Sequence, residues 1–208
     1  MKTYPGLPEP KSEILLDYDA SRERYGGKAE FLIASLHLCG NTGTYVDSPR
    51  HRHRGGVDLA GLALEAVAHV PLVTVDARRS EVRGLGAEAF ADLEVAGKAV
   101  LVNTGWSRHW GTDRYFENNP YLTAAACEFL AARGARFVGI DSPNIDDIED
   151  PLRPAHTILL GAGIPICEHM TNLSALPAGG GFVHAVPIAW VGGASFPVRA
   201  YVVCPDGE

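Results

Sequence analysis

The sequence predicts an α/β fold with a mixed sheet. Two helix–glycine–strand units point to it, one from Leu122 to Asp141 and one from His156 to Glu168. A strand-rich end, Phe182 to Cys204, interrupts the alternation that a purely parallel, doubly wound sheet would keep. The 208 residues are read as one domain, 1–208, large enough to bury a sizeable core.

Each element has its own signal. Residues 1–12 are Pro-rich and are expected to drape over the surface. Glu30 to Leu38 alternates loosely and reads as a strand running into a turn at Asn41. Arg52 to Gly56 is a polar loop, after which Asp58 is placed to cap a short helix carrying Leu59, Leu62 and Leu64. Pro71 to Asp76 and Lys98 to Thr104 are short β-branched runs, expected as buried strands, with a weakly helical Gly86 to Leu93 between them. Leu122 to Arg133 is the best helix: Leu122, Ala126, Phe129 and Leu130 share a face, and Gly134 stands where a left-handed C-cap belongs. Arg136 to Asp141 then reads as a strand. Phe182 to Val191 and Val198 to Cys204 are expected to be two more.

Composition narrows the function classes. A formal net charge of -7 provides no electrostatic footprint for nucleic acid and none for an anionic membrane. No apolar run approaches the roughly 20 residues that span a bilayer, and the start, Met1 to Gly6, lacks a secretory signal's apolar stretch. Cys39, Cys127, Cys167 and Cys204 are widely spaced, with no CxxC pair, as expected of free thiols in a cytoplasmic protein.

The chemistry concentrates in Asn41-Thr42-Gly43-Thr44-Tyr45-Val46-Asp47-Ser48-Pro49-Arg50-His51. Asp47 and His51 stand four residues apart on a turn shaped by Gly43 and Pro49. A second pair, His156 and Glu168, lies far along the chain at the edges of separate elements. Alone, each residue has a plain structural alternative. Asp47 before Ser-Pro suits an Asx turn, hydrogen-bonded histidines are common, and an acid closing a strand is often simply solvated. Together, imidazole nitrogens and carboxylate oxygens are the donor set of a divalent ion with an open position for water.

The same stretch resembles the cyclase-type metal hydrolases, the family of bacterial kynurenine formamidase and isatin hydrolase, whose pattern is His-x-Gly-Thr-His-x-Asp-x-Pro-x-His. Gly43, Thr44, Asp47, Pro49 and His51 match; Asn41 and Tyr45 stand where histidines are expected. The likeness continues through Leu101 to Trp106, Val138 to Pro143, His156, and Ile164 to Leu173. It implies a swivelling β/β/α architecture and a homodimer or homotetramer. It also implies hydrolysis of a small amide, formamide, lactam or lactone. Carried over residue by residue, Asp47, His156 and Glu168 would hold one divalent ion, zinc or alternatively manganese, with His51 as general acid/base. Asn41 and Tyr45 would face the substrate at the mouth of the ion site that the two missing histidines vacate, with Trp106 and Trp110 as walls for a flat molecule. The two lost histidines leave a different class open, a metal-free small-molecule binder or non-hydrolytic cyclase. His37, Cys39 and His53 flank the motif as replacement ligands, and His169 adjoins Glu168 as its support.

Overall fold

Strand β6 (Ala99–Asn103) is buried at all five positions, so its side chains need apolar cover on both faces. It runs near the middle of an eight-stranded sheet. The structure, a computed structural model, describes residues 6–204; the first five residues of the Pro-rich start lie outside them. Parallel to β6 lie β4 (Val70–Asp76), β8 (Phe137–Ile140) and β9 (Ile166–Glu168), in the order β4-β6-β8-β9. Antiparallel strands extend both sides: β3 (Tyr45–Asp47) and β11 (Ser195–Pro197) beyond β9, β10 (Gly179–His184) and β12 (Tyr201–Val203) beyond β4. The sheet is therefore mixed, as expected. Two small pairs stand apart, β1 (Lys11–Leu16) with β2 (Ile33–His37), and β5 (Gly84–Leu85) with β7 (Tyr121–Leu122).

Alternate side chains divide into two cores. Val100, Val102, Ile140 and Ile166 pack against Leu130 of α2 (Ala124–Ala132) and Leu159 of α3 (Pro154–Gly161). Leu101, Phe137 and Cys167 face the other way, towards Met170, Leu173 and Val183. Helix α2 starts where Thr123 Oγ1 accepts the Ala126 N–H and ends at Gly134, φ +74°. Cys127 is fully buried within this helix, a packing residue.

The structure revises two expectations. Phe182 to Val191 is not one strand: β10 ends at His184, and Pro187, lacking an N–H, cannot extend the ladder. Asp58 caps a 3₁₀ turn at Leu59–Gly61, with a second at Leu64–Ala66, not a single helix. The described part of the Pro-rich start is largely exposed, as expected, and leads at Lys11 into β1, which is followed by helix α1 (Tyr18–Arg24). Among the described residues no helix is long and apolar enough to cross a membrane.

Gly139 shows why a glycine sits in a buried strand. A methyl group there would overlap the Met170 sulfur and come within 2.8 Å of Leu101 Cδ2. Gly139→Ala is expected to cost about 1–3 kcal/mol of stability, measurable as a lowered urea midpoint with unchanged slope.

Candidate active site

Strand register assembles one side of the site. Tyr45 stands opposite Glu168 across β3 and β9, and Asp47 stands opposite Ser195 across β3 and β11. Residues two apart on a strand share a face, so Tyr45, Asp47, Glu168 and Ser195 come together. Val46 and Cys167, between them, enter the opposite core. Two cross-strand hydrogen bonds follow: the Tyr45 hydroxyl donates to Glu168 Oε2, and the Ser195 hydroxyl donates to Asp47 Oδ1.

Helix α3 contributes His156, and the loop before it holds the ring. Asp146 is fully buried and accepts the N–H groups of Ala155 and His156 in the first turn of α3. The same carboxylate takes His156 Nδ1 at 2.6 Å. Nε2 is left aimed at the strand carboxylates, 3.8 Å from Asp47 Oδ2 and 3.6 Å from Glu168 Oε1.

His51 closes the 3₁₀ turn that Pro49 begins, at the rim. Its Nδ1 is 3.0 Å from Ser195 Oγ and 3.4 Å from Asp47 Oδ1. Ser195 has one hydroxyl proton, given to Asp47, so it accepts from His51 Nδ1–H. The neutral ring therefore presents its lone pair at Nε2. Burial, then the positive charges of His156, Arg153 and Arg52, hold His51 below the ordinary imidazole value against the pull of Asp47.

Three carboxylates with essentially no exposed surface, those of Asp47, Asp146 and Glu168, surround His156. Such charges need compensation. Both Glu168 oxygens have donors, Tyr45 on Oε2 and the Ile145 N–H on Oε1 at 2.7 Å. Asp47 Oδ1 receives Ser195 and, at 3.4 Å, Asn41 Nδ2. Asp47 Oδ2 is buried and has no hydrogen-bond partner among the described residues. Burial disfavours the charged His156 ring, but the Asp146 hydrogen bond and the Asp47 and Glu168 charges outweigh it, raising its pKa to about 10. Burial pushes Glu168 up to about 7, partly offset by His156. Without an ion, a proton on His156 serves as the counter-charge.

His156 and Glu168 floor a cleft of about 360 Å³ walled by Asn41, Tyr45, His51 and Arg153. Asp47, His156, Glu168, His51, Asn41 and Tyr45 are thus brought together. Trp106 is not: its Nε1–H donates to the Tyr115 carbonyl, and its ring lines a separate cleft. Trp110 is edge-on to Tyr115 and His169 and lines a separate cleft with them. His37 and Cys39 line another groove, and His53 Nε2 meets the Thr157 carbonyl. His169 Nδ1 is 3.0 Å from the Tyr115 hydroxyl, and burial lowers its pKa to about 4. Sequence reasoning missed Ser195 and Asp146. Ser195 carries no motif, and Asp146 is one acid among five from Asp141 to Asp150.

Comparisons with known proteins show the family. Residues 2–147 match the family described as "Putative cyclase". The chain is 28% identical to kynurenine formamidase of Bacillus cereus over 201 residues, covering 96% of this chain and 90% of the relative. It is 33% identical to kynurenine formamidase of Salinibacter ruber over 170 residues, 81% of this chain and 78% of that one. Isatin hydrolase A from Ralstonia solanacearum superposes with a TM-score of 0.79 at 26% identity, over 96% of this chain and 83% of that structure. The chain belongs to the cyclase family, and its mixed α/β sheet is that family's fold.

Asp146→Asn tests the inner support. Breaking one partner of this buried pair is expected to destabilise the metal-free protein by about 3 kcal/mol. A raised imidazole pKa stabilises fully below about pH 6.5 and loses that contribution as pH rises through about 10. Urea denaturation in chelator is therefore expected to show the largest difference at pH 6 and a smaller one at pH 9.

Proposed function

We propose that this protein hydrolyses a small amide, formamide, lactam or lactone. It would do so with one divalent ion, zinc or alternatively manganese, held by Asp47, His156 and Glu168. The observation that carries this is Asp47 Oδ2, a buried carboxylate oxygen without a donor, facing an imidazole nitrogen 3.8 Å away. Two ligands with bonds of about 2.1 Å to a common ion span a similar distance. The names of the relatives, kynurenine formamidase and isatin hydrolase, support the substrate class.

When bound, the ion supplies Lewis acidity, polarising a carbonyl and lowering the pKa of water in the site. The chain's own groups do the rest. His51 Nε2 accepts the proton as the water oxygen bonds to the carbonyl carbon, and Ser195 and Asp47 fix its tautomer through Nδ1–H. As the carbon–nitrogen bond breaks (carbon–oxygen in a lactone), His51 returns that proton to the leaving atom. The products are a carboxylic acid and an amine or alcohol, in one molecule where the substrate is cyclic. Tyr45 holds Glu168 and Asn41 holds Asp47, so both act on the carboxylates as well as lining the cleft.

Free thiols at all four cysteines support a cytoplasmic setting. The exposed Ile14, Leu15 and Leu36 of the β1–β2 pair support a homo-oligomer.

One observation favours a metal-free small-molecule binder instead: Tyr45, Ile145, Ser195 and Asn41 already give donors to three of the four carboxylate oxygens. Elemental analysis of untagged protein separates the two. His51→Ala is expected to keep the ion and lose about 10²–10⁴-fold in kcat on N-formyl aromatics or isatin-like lactams. Loss of the ion would instead make His51 a ligand, since Asp47, His51 and His156 offer atoms within 4.8 Å of one another. Full activity would remove it from the mechanism.

Ion binding must displace the His156 proton. Apparent zinc affinity is therefore expected to rise about tenfold or more per pH unit between pH 6 and 8, with proton release seen by calorimetry in buffers of different ionisation enthalpy.

A further inference from the structure

The mouth of the cleft carries two guanidinium groups that the hydrolytic chemistry does not use. Arg153 and Arg52 both line it, beside His51 and His156. Arg153 Nη1 donates to Asn144 Oδ1 at 2.9 Å, which leaves Nε and Nη2 uncommitted among the described residues. Arg52 gives Nε to Thr157 Oγ1 and Nη2 to the Leu152 carbonyl, keeping Nη1. The second of these bonds ties Arg52 to the residue just before Arg153. Asn144 Oδ1 also receives the Asp146 N–H, so Arg153 is anchored to the loop that positions His156.

Neither arginine has a carboxylate within 4.0 Å among the described residues; the arginines that do are Arg22, Arg78 and Arg83, away from the cleft. The buried acids do not satisfy them, because Asp47, Asp146 and Glu168 are engaged below by Ser195, the start of α3, Tyr45 and Ile145. Arg153 also holds a left-handed backbone, φ +49°, as the residue preceding Pro154 at the start of α3. Few residues other than glycine adopt that conformation, and here it places a long cationic side chain at the rim. A planar fork with two free donors is the arrangement that takes a carboxylate through paired hydrogen bonds.

We infer that the substrate is anionic, carrying a carboxylate beside the scissile amide, and that Arg153, flanked by Arg52, binds that carboxylate. This rests on the proposed hydrolase function, with the two separable by experiment. The probes are N-formyl-phenylalanine and its neutral carboxamide, which share shape and formyl group and differ in charge. Calorimetry on metal-free protein removes direct carboxylate–ion contact. The wild type is expected to bind the acid about tenfold more tightly than the amide. In Arg153→Gln, whose side-chain amide can still reach Asn144, that preference is expected to shrink to about threefold or less at an unchanged melting temperature. Arg153→Lys is expected to fall between, and Arg52→Gln to weaken the preference less. Should Arg153→Gln not fold, Arg153→Lys and the loss of preference between 20 and 500 mM salt carry the test. Equal or undetectable binding of the two probes by the wild type overturns the inference, as does a preference intact in the arginine variants. A preserved preference in the wild type, lost on substitution, with no turnover of either probe by metal-loaded protein would sink the hydrolase proposal and leave the carboxylate site standing.

Discussion

Asp47 and Glu168 are buried on adjacent strands, and a fold keeps two such charges only by supplying donors and cations to them. The chain supplies them from elements far apart in sequence: Ser195 from β11, Tyr45 from β3, Ile145 from the loop after β8, and His156 from α3. None of these meets the carboxylates unless the strand order β11-β3-β9-β8 and its register are in place. A one-residue slip of β3 would turn Tyr45 and Asp47 into the core behind the sheet and bring Val46 to the cleft. Chemistry and topology are therefore a single constraint here. The two-sided apolar cover of β6 and β8 secures the register on which the polar site depends.

The three buried acids differ in how far the chain satisfies them. Asp146 has backbone and imidazole donors at both oxygens and acts only through His156. Glu168 is satisfied at both oxygens but lies within 3.6 Å of His156 Nε2. Asp47 is satisfied at one oxygen alone. The unmet acceptor, Asp47 Oδ2, is the one that faces His156 Nε2, as expected where a fold keeps binding capacity for a cation instead of using it for its own stability. The raised pKa of His156 has the same origin, because a proton there is what the chain itself can offer as counter-charge.

Periodicity made the interior legible from the sequence. β4, β6, β8 and α2 were expected within a residue or two of their observed bounds, because β-branched runs bounded by glycine or charge leave few alternatives. β2 was expected from the loose alternation of Glu30 to Leu38 and lies within it, whereas β1 and α1, largely exposed, carried no such signal. Asp47, His51, His156 and Glu168 stood out through a motif, and resemblance joined them. Ser195 had neither advantage: it lies 148 residues from Asp47 and meets it only through cross-strand register. Trp106 was expected beside the substrate for its aromatic surface. Its indole N–H is drawn instead to the Tyr115 carbonyl, and the ring follows that bond into another cleft.

Asn41 and Tyr45 bear most directly on how many ions such a site can hold. Histidine at either position would present a lone pair to a cation. A phenol and an amide instead present protons, and each points at a carboxylate: Tyr45 at Glu168, Asn41 at Asp47. A carboxylate oxygen that already accepts a strong hydrogen bond is a poorer ligand for an additional ion, and the donor proton repels a cation placed beside it. Tyr45 and Asn41 thus occupy Glu168 Oε2 and Asp47 Oδ1 with hydrogen bonds and leave Asp47 Oδ2 facing His156 Nε2. Their effects are matched, one donor for each acid. Without these donors, two buried carboxylates on adjacent strands would have fewer protons between them, so Asn41 and Tyr45 help keep both acids in the interior.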